Sequence, residues 1–171
     1  MDTIKCMMTR RSIRKYSEKE VSNIVLEKIL KCAMQAPSGV NEQAWEFIIV
    51  RDKELLKQIP TISPFAGMVA KAPLAIIVCT NLNNESIFYK GMGILDCSAA
   101  TENILLAAHA LGLGAVWTAV YPDEAKANKI RNLFNIPSSI IPLCIIPIGY
   151  PAEKKGFDDR YKEKKVHQNK W

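Results

Sequence analysis

Two short polar clusters hold the residue types best suited to chemistry in this chain. The first, Arg10-Arg11-Ser12-Ile13-Arg14, packs three guanidinium groups and a hydroxyl into five residues. Guanidinium offers a planar fork of donors matched to phosphate oxygens, and such charge-assisted bonds are the strong ones. The second runs from Ala36 to Trp45 and makes a turn at Pro37-Ser38-Gly39, followed by side-chain amides at Asn41 and Gln43. An amide carries both donors and an acceptor, so it can read the carbonyls and ring nitrogens of a heterocycle. Arginine pairs alone usually lie on a solvated face. In this order and at this spacing, a phosphate clamp joined to a heterocycle clamp describes a site for a nucleotide-like cofactor.

Other chemistries find less support. Gly112-x-Gly114 lacks a third glycine and follows a helix rather than a strand, so it reads as a helix C-cap and not as a dinucleotide fingerprint. No P-loop is present, so phosphate must be held by side chains. Ser38 has no histidine nearby in sequence, which argues against a serine nucleophile. Asp96 and Glu102 lie six apart on a helix, too far round to form a carboxylate pair on one face. Five cysteines, Cys6, Cys32, Cys79, Cys97 and Cys144, show no CxxC spacing and read as buried free thiols. His109 and His167 have no partner at ligand spacing, so no metal site is expected.

These clusters must be positioned by a folded frame. Ser17-Glu18-Lys19-Glu20 has the spacing of a capping box and predicts a helix from Ser17. Val21, Ile24, Val25, Ile29, Cys32, Ala33 and Ala36 recur as its buried stripe. Strands are expected at Phe47–Val50 and, apolar on both faces and therefore central, at Leu74–Cys79. A brief helix at Lys53–Ile59 is stopped by Pro60. Thr61–Ala72 and Asn81–Gly93 read as irregular, lid-like stretches, with Phe65, Phe88 and Tyr89 suggesting an aromatic-lined substrate mouth. Ile94–Leu111 is the longest helix and is apolar almost all round. A strand begins at Ala115-Val116-Trp117, Asp123 caps a helix over Glu124–Phe134, and Ile140–Ile148 reads as an edge or bulged strand because of Pro142 and Pro147. A polar arm follows Pro151. The expectation is one α+β domain over 1–171: a central mixed sheet flanked by helices, a long central helix, and an extended C-terminal arm at 152–171.

At 171 residues, such a chain can bury roughly 70% of its unfolded surface. Apolar residues make up 49% of it and mean hydropathy is near zero, as in globular rather than disordered proteins. No apolar run approaches the ~20 residues of a membrane span, and the N-terminus lacks the apolar core of a signal peptide. Those features point to a cytoplasmic protein with no membrane partner. The net charge of +6 is concentrated at the ends: residues 1–16 hold five basic and one acidic residue, and 154–171 hold seven and three. The tail lacks the aromatic–basic interleaving of a nucleic-acid platform, so two basic ends converging on one phosphate is the more economical account.

The chain resembles the FMN-dependent nitroreductase family nearly end to end. The resemblance rests on Arg10–Arg14 and Pro37–Trp45, on Ala72-Pro73, on Asp96–Asn103 and on Leu111–Trp117. It continues through Ile148-Gly149-Tyr150-Pro151 to the terminal Val166–Trp171. Ala44 departs from the family, which often has proline before the aromatic; the change removes no ligand group. By this resemblance, Arg10, Ser12 and Arg14, assisted by Arg11, hold the FMN phosphate and ribityl chain. Pro37, Ser38, Gly39, Asn41 and Gln43 line the isoalloxazine ring. Trp117, Thr118 and Gly149 complete the pocket, and a tail residue such as Lys154 or Arg160 reaches the phosphate.

The implied activity is that of an NAD(P)H-dependent FMN oxidoreductase. Hydride passes through flavin N5 to nitroaromatic, quinone or similar electron-poor acceptors in a ping-pong cycle, and no catalytic side chain is required. The alternatives are a reductive dehalogenase or flavin-destroying enzyme of the same fold, or a non-catalytic flavin-binding redox sensor. The resemblance also implies a homodimer with FMN sites at its interface. Independently, the all-round apolar helix needs more cover than one small domain provides, and the arm ending in Trp171 suits a partner's surface.

Overall fold

The computed structural model describes residues 1–85 and 91–171. A five-stranded sheet forms its middle layer. β1 (Trp45–Val50) pairs with β2 (Leu74–Asn81), β2 with β5 (Ile140–Gly149), and β5 on its far side with the two short strands β3 (Gly114–Ala115) and β4 (Thr118–Ala119). All of these ladders are antiparallel, and among the described residues the parallel component of the sheet is a single bridge between Ser12 and Ala115.

β2 is buried throughout because both its faces are covered. Leu74, Ile76 and Val78 point to one layer of helices, while Ala75, Ile77 and Cys79 point to the other, following the two-residue period of a strand. The first layer holds α1 (Thr3–Thr9), α2 (Asn23–Ala33) and the 19-residue α4 (Met92–Ala110), and the second holds α3 (Lys53–Ile62) and α5 (Glu124–Phe134). Burial pushes the thiols of Cys79, Cys97 and Cys144 up to about 12.

Several local expectations are corrected. α2 starts at Asn23, not Ser17, because the Ser22 hydroxyl caps Val25 N–H at 3.4 Å while Ser17 N–H is spent on Tyr150. Ile24 is 71% exposed and Cys32 is also exposed, so neither belongs to the buried stripe. α3 continues to Ile62: Pro60 forfeits one helical hydrogen bond, and the helix closes two residues later rather than at the proline. The stretch after α3 is more ordered than expected: short 3-10 turns, broken by a kink at Ala66, span Pro64–Lys71 and bury Ala66 and Val69. The strand expected at Ala115–Trp117 is split into β3 and β4. Of the two alternatives for β5, the bulge holds and the edge does not: the strand lies inside the sheet, and its register shifts beside Pro142, opposite Val78 and Cys79, while Pro147 pairs in regular register with Ala75.

The long helix begins at Met92 and ends at Ala110, where Gly112 (φ +79°) reverses the chain. Its inner face, including Cys97, Ala100 and Ile104, packs on the sheet and α2. Cover within the chain is incomplete, since Leu95 stays 62% exposed. The arm beyond Pro151 is exposed, with Glu153 alone half-buried, and its end folds on itself as His167 stacks on Trp171 at 4.2 Å between ring centroids.

Candidate functional site

The arginine cluster follows α1 as an extended segment laid on β3. Ile13 N–H donates to the Ala115 carbonyl at 3.0 Å, and Ser12 bridges the same residue. Docking this close requires glycine at 114, where a Cβ would sit 2.6 Å from Ile13. Gly114→Ala is therefore expected to lower stability by about 1–3 kcal/mol, visible as a lower urea midpoint; an unchanged midpoint would show that Ile13 yields freely.

Extension turns alternate arginines to opposite sides. Arg14 lines a cavity of about 230 Å³ with Phe65, Trp117, Thr118 and Lys126. Here a guanidinium and an ammonium meet an indole. Lys126 is held by Asp123, the α5 cap, at 3.6 Å; the Thr118 hydroxyl is committed to the Ile145 carbonyl at 2.6 Å. Phe65 is 90% exposed at the rim.

Arg11 faces another cavity, of about 380 Å³, shared with His109, Glu153, Lys154 and Lys155. Its guanidinium lies 3.4 Å from Asp158, which Arg160 also engages at 3.0 Å. The Arg160 hydrogen bond is the main cause holding the Asp158 carboxyl below its usual range. The structure thus brings Lys154 to the cavity wall, while Arg160 stands one ion pair behind Arg11. His109 lies 2.9 Å from the Thr9 hydroxyl, and burial, then Arg10, lowers its pKa. Arg10 turns away to Glu102 at 3.4 Å.

The second cluster forms a tight turn after α2. Val40, Asn41 and Gln43 adopt φ of +51°, +60° and +52°. Left-handed backbone is unfavourable for side-chain-bearing residues, most of all for a β-branched one such as valine. Hydrogen bonds hold the turn in that state: Gln43 N–H to Ser38 Oγ at 3.1 Å, Gln43 Nε2 to Asn41 Oδ1 at 2.9 Å, and Gly39 N–H to Asp96 Oδ1 at 2.9 Å. Pro37, Asn41 and Gln43 are exposed, and Ser38 and Gly39 half-buried, so the turn presents amides to its surroundings. Gly149 pairs with Gly114 beside the arginine segment, buried where a Cβ would come 2.7 Å from Pro73 and 3.0 Å from Tyr16. Phe88 and Tyr89 fall outside the described residues.

β2 serves as a ruler between the clusters. Ser12 is joined through Ala115 and Ile148 to Leu74 at one end, and the Ala44 carbonyl accepts from Asn81 N–H at the other. At ~3.3 Å per residue, that separation is roughly 20 Å. Sequence spacing missed Lys126, Lys155 and Asp96, because each arrives from an element far along the chain.

The sequence pattern of the nitroreductase family matches residues 7–63 and 63–150. A protein of Methanothermobacter thermautotrophicus, provisionally named an NADH dehydrogenase/NAD(P)H nitroreductase, is 50% identical over 171 residues, covering 100% of this chain and 88% of that protein. A crystal structure of a provisionally named NADH dehydrogenase/NAD(P)H nitroreductase from Parabacteroides distasonis superposes with a TM-score of 0.94 at 38% identity, covering 99% of this chain and 98% of that one. The structure of an FMN-dependent nitroreductase from Clostridium difficile gives 0.89 at 36% identity, with 98% and 99% coverage.

Proposed function

This chain belongs to the nitroreductase family, and from that premise we propose that it reduces nitroaromatics, quinones or similar electron-poor acceptors. It is an NAD(P)H-dependent flavin oxidoreductase with FMN as its cofactor. The observation that carries the finer reading is the cavity of Arg14, Phe65, Trp117, Thr118 and Lys126, whose cations and aromatic rings fit a phosphorylated heterocycle. When bound, FMN supplies a ring that takes hydride from reduced nicotinamide and returns electrons to the acceptor. Arg14 and Lys126 neutralise phosphate charge, Asn41 and Gln43 offer amides to ring carbonyls, and exposed Phe65 meets aromatic acceptors at the rim. No side-chain acid or base is assigned, since solvent can complete the proton balance.

We further propose that each site is shared by two copies of the chain. The phosphate-binding and ring-binding clusters of one chain stand roughly 20 Å apart along β2, more than the five-carbon ribityl linker of one FMN spans. A two-fold pair places the turn of one copy beside the arginines of the other. Exposed Leu95 on α4 and the unsupported arm supply surface for that contact.

A visible spectrum after FMN addition, followed by anaerobic titration with NADH and NADPH, tests the reading. Flavin reduction is expected to be far faster than that of free FMN; an equal rate would favour a store or sensor. Donor and acceptor using one ring face in turn give parallel double-reciprocal plots. Intersecting lines with a ternary complex would overturn the shared face.

A further inference from the structure

A cavity of about 600 Å³ opens beyond the end of β1, where Arg51 follows Val50 and Pro73 precedes β2. It is larger than the cavities of Arg14 and Arg11 and shares no lining residue with either. Arg51, Lys53, Lys71, Glu18 and Glu20 all line it, yet none of them enters an ion pair among the described residues. Arg51 is held in place by Nη2, which donates to the Val21 carbonyl at 2.8 Å and to Asn23 Oδ1 at 3.1 Å. Both hydrogens of that nitrogen are thereby used, while Nε and Nη1 have no hydrogen-bond partner among the described residues. Lys53 opens α3, and its Nζ reaches the Ala72 carbonyl at 3.3 Å, which leaves two of its ammonium donors. Lys71 closes the turn before β2. Asp52 does not quench its neighbours, because its carboxylate is spent on the cap of α3, at 2.8 Å from Glu54 N–H and 3.0 Å from Leu55 N–H.

We propose that this cavity binds a small phosphate ester that also carries hydroxyl groups, with the phosphate on Arg51, Lys53 and Lys71 and the hydroxyls on Glu18 and Glu20. Cations gathered on one concave surface without counter-charges raise the local concentration of anions. Their donors arrive from the end of β1, the start of α3 and the turn before β2, so they suit the three oxygens of a phosphate better than the two of a carboxylate. Glu18 and Glu20 repel a bare anion but accept from hydroxyls, as acidic residues do from ribose in dinucleotide sites. The volume lies within the ~300–1,000 Å³ of small-molecule cavities.

Tyr16 ties this cavity to the back of the arginine segment. Its side chain lines the cavity, while its hydroxyl donates to the Ile13 carbonyl at 2.6 Å and so is not offered to a ligand. The Ser17 hydroxyl makes no hydrogen bond among the described residues and adds one neutral donor to the lining. Sugar phosphates and nucleotides share the required chemistry, a phosphate joined to vicinal hydroxyls. The site is separate from the one proposed for flavin, and neither reading depends on the other.

The experiment is isothermal titration of the full-length protein, saturated with FMN, with ribose 5-phosphate, AMP, inorganic phosphate and ribose. Ribose 5-phosphate is expected to bind at least about tenfold more tightly than inorganic phosphate, and ribose not measurably. Tighter binding of AMP than of ribose 5-phosphate assigns the site to nucleotides; equal or weaker binding assigns it to sugar phosphates. Lys71→Glu changes an exposed side chain that makes no hydrogen bond among the described residues, so it should leave the circular dichroism spectrum intact and weaken both esters by about tenfold or more. Because Lys71 lines neither the Arg14 nor the Arg11 cavity, that loss locates the site whether or not flavin is bound. Glu18→Ala/Glu20→Ala should bind inorganic phosphate more tightly and no longer prefer the ester. Absence of binding by both esters at millimolar concentration overturns the proposal, and so does native affinity for them in Lys71→Glu. An unchanged preference for the ester in the double variant overturns the role given to the carboxylates.

Discussion

Arg14→Glu is expected to weaken FMN binding by about two orders of magnitude or more. Losing a charge-assisted bond costs a few kcal/mol, and each 1.4 kcal/mol is about tenfold in affinity. Here the incoming carboxylate also stands in the cavity with Lys126 as its remaining cation, where it repels the phosphate. Arg10 is a weaker lever, because its guanidinium is already engaged by Glu102 at 3.4 Å. A fluorescence titration with FMN checks this. Native affinity in Arg14→Glu, with normal far-ultraviolet circular dichroism, would move the phosphate to the Arg11 cavity.

Removing the arm after Pro151 is expected to cost dimerisation and flavin retention together. The deleted segment is exposed and adds nothing to either apolar core, so the remaining chain should keep its circular dichroism spectrum. What it loses is the Glu153 carboxylate on Arg14 N–H, the Asp158 partner of Arg11, and Lys154 and Lys155 in the basic cavity. It also loses Phe157, Tyr161 and Trp171, exposed aromatics of the kind enriched at interfaces. Light scattering and flavin content are read on the same sample. A mass of one 19.1 kDa chain for the flavin-loaded full-length protein would reject the shared site outright.

Much of this was legible in the residue pattern, for identifiable reasons. β2 was recognised because a continuous run such as Leu74–Cys79 suits only a strand covered on both faces. α5 was bounded by a single cap, Asp123, whose carboxylate does accept Lys126 N–H at 2.9 Å. Ser17 misled because a capping box is a local signal, and tertiary pairing with Tyr150 took its backbone instead. For β5 the prolines left an edge and a bulge as alternatives, and only pairing with strands on both sides, with the register shift beside Pro142, decides for the bulge. At the site, the two clusters announced their chemistry through side-chain type alone. Lys126, Lys155 and Asp96 did not, because a lysine on an exposed helix or a lone aspartate acquires meaning only from what folds against it.

The place of β5 inside the sheet also sets an order of events in the cell. β1 and β2 are synthesised early, yet the neighbour that covers the inner edge of β2 is the last strand of the chain. At roughly 5–20 residues per second, β2 waits several seconds for Ile140–Gly149 to leave the ribosome. Over that interval an apolar strand stands with an open edge, the condition that invites pairing with the wrong chain. Nascent chains halted before residue 140 should therefore depend on chaperones more heavily than the finished protein.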